Sequence, residues 1–251
     1  MSDAGYVRSH SEHGITTIEF YHPKGNSLPL KLLDSLANEI HYAGIHDSKV
    51  IILQSAGEGA FCGGASMDEL AAIKNENEGI LFFKGFANVI NAMRKCNKFI
   101  IGRIHGKAVG GGVGLVAACD YAIAVKNVEV RLSELVLGIG PFVVGPAIER
   151  KIGSAFSQLA IDAHLWRNSA WAKQKGLLAE VHETVANMDE SIQRIASGLA
   201  HSSSVAMAEM KKIFWQGTEN WDTLLSERAA ISGRLVNTEF AKQAIAKILA
   251  K

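Results

Sequence analysis

FIIGRIHGKAVGGGVGLVAAC, residues 99–119, passes from an apolar segment through glycines into a second apolar segment. Phe99 to Ile104 is short and almost wholly apolar, as a strand covered on both faces requires. Three consecutive glycines, Gly110 to Gly112, let the main chain pass close to another group. The helix expected over Val113 to Cys119 has almost no polar face, so it belongs in the interior. Its N-terminus carries unpaired N–H groups and the positive end of the helix dipole, which suits an anion or a developing oxyanion. A tight strand-to-helix turn without any ligand explains a bare GGG equally well. Two nucleotide readings fail on the residues. A phosphate-binding P-loop needs Gly-Lys followed by Ser or Thr, but Gly106-Lys107 is followed by Ala108. The dinucleotide fingerprint needs glycines at relative positions one, three and six, and Gly106 to Gly114 offers no such placement with a suitable acidic partner.

Outward from this stretch, short apolar runs recur. Ile15 to Tyr21 (ITTIEFY) is rich in β-branched and aromatic residues and predicts a strand, broken by Pro23, Gly25 and Asn26. Leu33, Leu36, Ala37 and Ile40 form a helical stripe between Pro29 and about Ala43. Val50 to Gln54 and Tyr121 to Val125 predict two further buried strands. Strands alternating with helices give an α/β architecture. After about Asp189 only helical patterns remain. In one of them Leu224, Ile231 and Leu235 share a face with the stem of Arg228; in the last, Ala241, Ala244, Ile245 and Ile248 do so. The chain therefore divides into residues 1–196 and a helical subdomain, 197–251, short for an independent fold and of a kind that often covers a partner.

The 251 residues are 48% hydrophobic, enough for a substantial core. Twenty-six basic residues against 25 acidic leave a net charge of +1, which offers no general attraction for nucleic acid or anionic lipid. No apolar run reaches the roughly 20 residues of a membrane span. Met1 to His13 is polar and lacks the apolar segment of a secretory signal. Cys62, Cys96 and Cys119 form neither a disulfide framework nor a zinc pattern, so no metal is expected and a reducing, cytoplasmic setting fits.

A second glycine segment, Ala60-Phe61-Cys62-Gly63-Gly64-Ala65-Ser66-Met67, also lies between a buried strand and a helix. Two such loops matter because an oxyanion hole needs converging donors. Phe61 to Ala65, followed by Gly110 to Leu115 and then Cys119-Asp120, resembles the crotonase superfamily, the enoyl-CoA hydratase/isomerase family. Pro23-Lys24-Gly25-Asn26-Ser27-Leu28 resembles its coenzyme A loop, Leu132-Ser133-Glu134-Leu135 its carboxylate segment, and Ala170 to Leu178 its "A…A…GL" stretch. The resemblance spans nearly the whole chain.

It implies a crotonase-like (ClpP/crotonase) fold of repeated ββα units, with an acyl-CoA site in 1–196 and an oligomerising helical region in 197–251. It implies homotrimers or dimers of trimers, and no cofactor beyond the coenzyme A of the substrate. The backbone N–H groups of Ala65 and Gly111 would hold the thioester oxygen, and Glu134, among leucines and valine, would act as acid/base with a pKa raised by burial. Lys24, Ser27, Leu28, Gly64, Ala65, Ser66, Met67 and Gly111 would contact the CoA ester. Without the resemblance, Glu134 reads as a surface glutamate at a strand end.

Three departures from the family stand out. Gly114 occupies the position of a first glutamate that the best-known hydratases carry; Ser66 replaces an aspartate; and Ile139 to Gly145 replaces a glycine-rich loop, with Pro141 and Phe142 expected to narrow the pocket. One carboxylate suffices to move a double bond, whereas the usual hydratase shares its work between two. Isomerisation is therefore expected ahead of hydration. Decarboxylation, thioester hydrolysis and a non-catalytic acyl-CoA scaffold are the alternatives. Cys62 reads as a small buried residue, His105 as a turn or core histidine, and Asp120 as structural.

Overall fold

The computed structural model describes residues 5–250; residues 1–4 of the polar N-terminal stretch, and residue 251, lie outside it. The chain begins with a hairpin, β1 (Tyr6–Glu12) and β2 (Ile15–Tyr21), followed by β3 (Ser27–Leu28) and α1 (Leu30–Ile45). Next come β4 (Val50–Ser55), β5 (Gly64–Ala65), α2 (Met67–Ala72) and α3 (Glu76–Lys95). The third passage holds β6 (Phe99–Ile104), β7 (Ala108–Val109), α4 (Gly111–Ala118), β8 (Tyr121–Val125) and β9 (Glu129–Arg131). A 3₁₀ turn (Glu134–Leu137), α5 (Gly145–Ile152), α6 (Ala155–Ile161), β10 (Arg167–Asn168), α7 (Ser169–Gln174) and β11 (Glu180–His182) follow. Four helices complete the chain: α8 (Val185–Ala200), α9 (Ser204–Phe214), α10 (Trp221–Leu235) and α11 (Glu239–Leu249).

Six strands form one sheet in the order β1-β2-β4-β6-β8-β11. Only β1 runs antiparallel to its neighbour; the other pairings are parallel. Val50 to Leu53 are all buried, as a central parallel strand demands, and pair with β2 on one side and β6 on the other. α8 lies against β4, β6 and β8 and runs without a break past residue 197. Among the described residues, no helix is long and apolar enough to cross a membrane.

Of the four strands read from the sequence three match to the residue and β4 runs one residue further, to Ser55, while the helix after the glycines starts at Gly111, two residues early. The face assigned to Leu224, Ile231, Leu235 and Arg228 needs correction. The buried face of α10 is Trp221, Leu225, Ala229, Ser232 and Gly233, while Arg228 is exposed. The reason is close helix packing. α10 crosses α3 where a methyl group on Gly79 would fall 2.8 Å from the Gly233 Cα, so the seam is built of small residues rather than large ones. In α11, Ala241 and Ile245 are buried, but Ile248 is exposed.

Candidate active site

The loops that follow β4 and β6 are tied together by main-chain hydrogen bonds. Cys62 N–H donates to the Lys107 carbonyl at 3.2 Å, and Val109 N–H donates to the Cys62 carbonyl at 2.9 Å. The first loop is also held from below, since β5 pairs with β3 so that Ser27 faces Gly64 and Leu28 faces Ala65. The two glycine segments therefore converge. A methyl group on Gly64 would sit 2.7 Å from the Val109 carbonyl oxygen and 3.5 Å from the Gly111 nitrogen. Gly64 has φ +86°, a conformation that favours glycine for a second reason.

Gly111 is the first residue of α4, so no carbonyl of that helix can accept from its N–H. Among the described residues, no other backbone acceptor meets it. Gly110, before it, has φ +52° and donates its own N–H to the Arg131 carbonyl at 2.9 Å. This bond turns the chain so that Gly110 lies against Glu134: a methyl group there would come within 2.9 Å of Oε1.

Glu134 opens the 3₁₀ turn and is not at the end of a strand. Gly138 closes that turn in the left-handed region, and Ile139 N–H donates to the Glu134 carbonyl at 3.0 Å. The residue is half-buried, but its Oε2 is sealed from solvent and has no hydrogen-bond partner among the described residues. Burial pushes the carboxyl from its ordinary 4.5 up to about 7, against the main-chain N–H groups of Glu134 and Ser133, which pull it down. A carboxyl so placed can exchange protons near neutral pH.

Ala65, Gly111 and Glu134 line one cavity of about 70 Å³, together with Met67, Phe86, Leu137 and the segment Ile139 to Val144. Its polar side chains are Ser133, Glu134 and Ser232, the last contributed by α10. Pro141 and Phe142 form part of its wall. Gly114 is the decisive absence. A methyl group on Gly114 would fall 2.6 Å from Val144 Cγ1, so a valine fills the space in which a longer side chain on α4 would have to lie.

The remaining sequence candidates are distributed around this centre. Ser66 is buried and caps α2, its hydroxyl accepting from Glu69 N–H, while its own N–H donates to the Leu28 carbonyl. Ser27 and Leu28 are buried under the first loop. Lys24 is exposed and pairs with Asp68 at 2.6 Å. Cys62 is fully buried and its thiol is pushed up to about 12, which removes it as a nucleophile. His105 lies away from the cavity lining, and burial together with the Arg103 charge pushes its pKa down. No group of three or more His, Cys, Asp or Glu among the described residues could hold a metal ion.

Asn26, to which no role was assigned from sequence, organises the loop carrying Lys24 and Ser27. At φ +54° it donates to the carbonyls of Ala56 and Ala60 and accepts from His22 N–H. A signal was present: Asn beside Gly in a break after a strand is the residue that tolerates a left-handed backbone. Phe86, Val144 and Ser232 carried no signal, because their place in the cavity depends on helix packing.

A sequence model described as "Enoyl-CoA hydratase/isomerase" matches residues 10–247. A probable enoyl-CoA hydratase of Bacillus subtilis is 25% identical over 94% of this chain and 93% of its own. A peroxisomal Delta(3,5)-Delta(2,4)-dienoyl-CoA isomerase of Arabidopsis thaliana is 29% identical over 69% of this chain and 66% of its own. The crystal structure of an enoyl-CoA hydratase from Bacillus halodurans superposes with a TM-score of 0.88, covering 96% of this chain and 99% of that one at 22% identity.

Proposed function

This chain belongs to the enoyl-CoA hydratase/isomerase family, and from that premise we propose that it moves a double bond in an enoyl-CoA by shuttling one proton through Glu134. The observation that carries the choice of reaction is Val144 packed over Gly114, which leaves Glu134 as the one carboxyl lining the cavity among the described residues.

The thioester oxygen of a 3-enoyl-CoA accepts from the N–H groups of Ala65 and Gly111. The Glu134 carboxylate takes a proton from C2, and the C2–H electron pair forms a C1=C2 bond as the carbonyl pair moves onto the thioester oxygen. The 3,4 double bond is still in place in this dienolate; when Glu134, now the carboxylic acid, returns the proton to C4, the carbonyl re-forms and the double bond is left at 2,3. The products are the 2-enoyl-CoA and the original carboxylate, so the reaction balances without a redox or metal partner. A pKa of about 7 lets one group serve as base and then acid. Each oxyanion donor accounts for roughly 3–4 kcal/mol of barrier in sites of this type. In this reading the exposed Lys24 leaves Asp68 to meet a phosphate of the coenzyme.

Incubation with 3-hexenoyl-CoA and, separately, 2-hexenoyl-CoA in D2O tests this reading. The expected product of the first is 2-hexenoyl-CoA, carrying deuterium to the extent that Glu134 exchanges with solvent before it returns the proton, with little 3-hydroxyacyl-CoA from either. A predominant 3-hydroxyacyl product would make the protein a hydratase, free coenzyme A would make it a hydrolase, and absence of both turnover and exchange would leave it a binder.

A further inference from the structure

Beside the cavity that holds Glu134 lies a second apolar hollow of about 330 Å³, floored by Pro146, Phe156, Ala160 and Ile161, with Glu149 and Arg228 among its other lining residues. The two spaces share two residues, Pro141 and Phe142. We infer that Phe142 is the end wall of the acyl site and restricts this enzyme to short acyl chains, a statement that rests on the proposed enoyl-CoA reading for what fills the cavity.

The inner space supports this. With the thioester oxygen between Ala65 and Gly111 and the C2–C4 segment beside Glu134, the rest of the acyl chain in this proposal runs among Leu137, Ile139 and Phe142, which line the same cavity. The inner cavity measures about 70 Å³ against about 330 Å³ in the outer hollow, so the room for a long tail lies on the far side of Phe142.

The wall is stiff rather than hinged. Phe142 N–H donates to the Gly140 carbonyl at 2.7 Å, closing a tight turn around Pro141, whose ring fixes its own φ. Gly145 N–H donates to the Pro141 carbonyl at 2.8 Å and ties the turn to the start of α5. The aromatic ring rests on bare Gly140, where a methyl group would come within 2.6 Å of Cε2 and Cζ. Removing the ring would therefore join the inner cavity to the outer hollow instead of letting the turn collapse.

The test compares six- and ten-carbon CoA esters on wild type, Phe142→Ala and the milder Phe142→Leu, which guards against a fold failure. Wild type should favour the six-carbon 3-enoyl-CoA in kcat/KM, and Phe142→Ala should move that ratio toward the ten-carbon ester by about tenfold or more. Adding Ala160→Trp, which refills the outer hollow, should move it back. Dissociation constants for saturated hexanoyl- and decanoyl-CoA, measured by calorimetry, should follow the same order. Equal preference across chain lengths in wild type, or a ratio that Phe142→Ala leaves alone, overturns the inference while any double-bond shift keeps the proposed reaction standing. If no ester reacts, that reaction falls, and the calorimetric series still decides whether Phe142 sets chain length.

Discussion

Two carboxylates lie under the surface near the two ends of the same stretch of chain, and the fold treats them in opposite ways. Asp120, just past α4, has each oxygen occupied: Oδ1 accepts from Trp215 Nε1 at 3.0 Å, and Oδ2 accepts from Ile100 N–H and pairs with Lys211 Nζ, both at 2.8 Å. Lys211 in turn donates to the Lys98 carbonyl at 2.7 Å. Glu134 has a sealed Oε2 with no partner among the described residues. Burying a polar group is costly unless it is bonded, so the fully bonded carboxylate reads as part of the scaffold and the one with an open oxygen as a group kept for something that binds. Asp120 joins α4, β6 and α9 and lends rigidity. The Glu134 carboxyl meets only the main-chain N–H groups of its own turn, Ser133 and Glu134, and its Oε2 is left open.

Removing each carboxylate should break different things. Glu134→Gln keeps the shape and deletes the proton carrier, and turnover should fall by about 10³- to 10⁴-fold with the affinity for CoA esters intact. Steady-state rates and calorimetric binding check both halves; a variant retaining a tenth of wild-type turnover would put the acid/base elsewhere. Asp120→Ala should do the reverse. It strands the buried Lys211 ammonium, and the expected loss is about 3–5 kcal/mol of folding stability, with rate per folded molecule unchanged. Urea unfolding measures it, and a cost below about 1 kcal/mol would mean that the network does not hold the fold.

The pH dependence should separate them further. Because the Glu134 pKa is raised to about 7 in the folded protein, the native state holds this proton longer than the unfolded chain does. Its contribution to stability is therefore full below about 4.5, declines as pH rises, and is gone above about 7, a swing of about 3 kcal/mol. Glu134→Gln removes that swing, so the variant should gain on wild type between pH 5 and pH 8 in urea midpoints. The rate moves the other way. In the proposed reaction the carboxylate is the base, so kcat/KM should rise about tenfold per pH unit up to about 7 and then level off. A flat profile between pH 5 and 8 would contradict both.

Asp120 and Glu134 also mark where the sequence could be read. Strands such as Phe99–Ile104 announce themselves because burial on both faces leaves a continuous apolar run. β1, YVRSHSE, does not: five of its seven residues are exposed, and its shape comes from the ladder to β2. The 20-residue α3 escaped as well, since Gly79 and Gly85 interrupt its apolar stripe at points where α10 and α1 press close. In the site, Glu134 and the two glycine loops were legible by family resemblance. That Val144 covers Gly114, that Phe142 divides two hollows and that Ser232 reaches the cavity from α10 follow from packing between distant segments, which local pattern does not encode.

The smallest expected effect is the most pointed, because it asks whether the solitude of Glu134 sets the reaction. Gly114→Glu alone should misfold or lose activity, since even a methyl group there meets Val144 at 2.6 Å. Combined with Val144→Gly, the new carboxylate has space and faces the same cavity. Two carboxyls that close cannot both ionise freely, so one pKa should climb and the rate plateau should move to higher pH. A water held between them could be deprotonated by one while the other protonates carbon, and a trace of 3-hydroxyacyl-CoA should appear from 2-hexenoyl-CoA in the double variant where wild type makes little. The product is read by mass spectrometry in labelled water. If the pH plateau shifts and no hydration follows, the second carboxylate is present and insufficient, and the choice between isomerisation and hydration lies in how the cavity admits water rather than in the number of its acids.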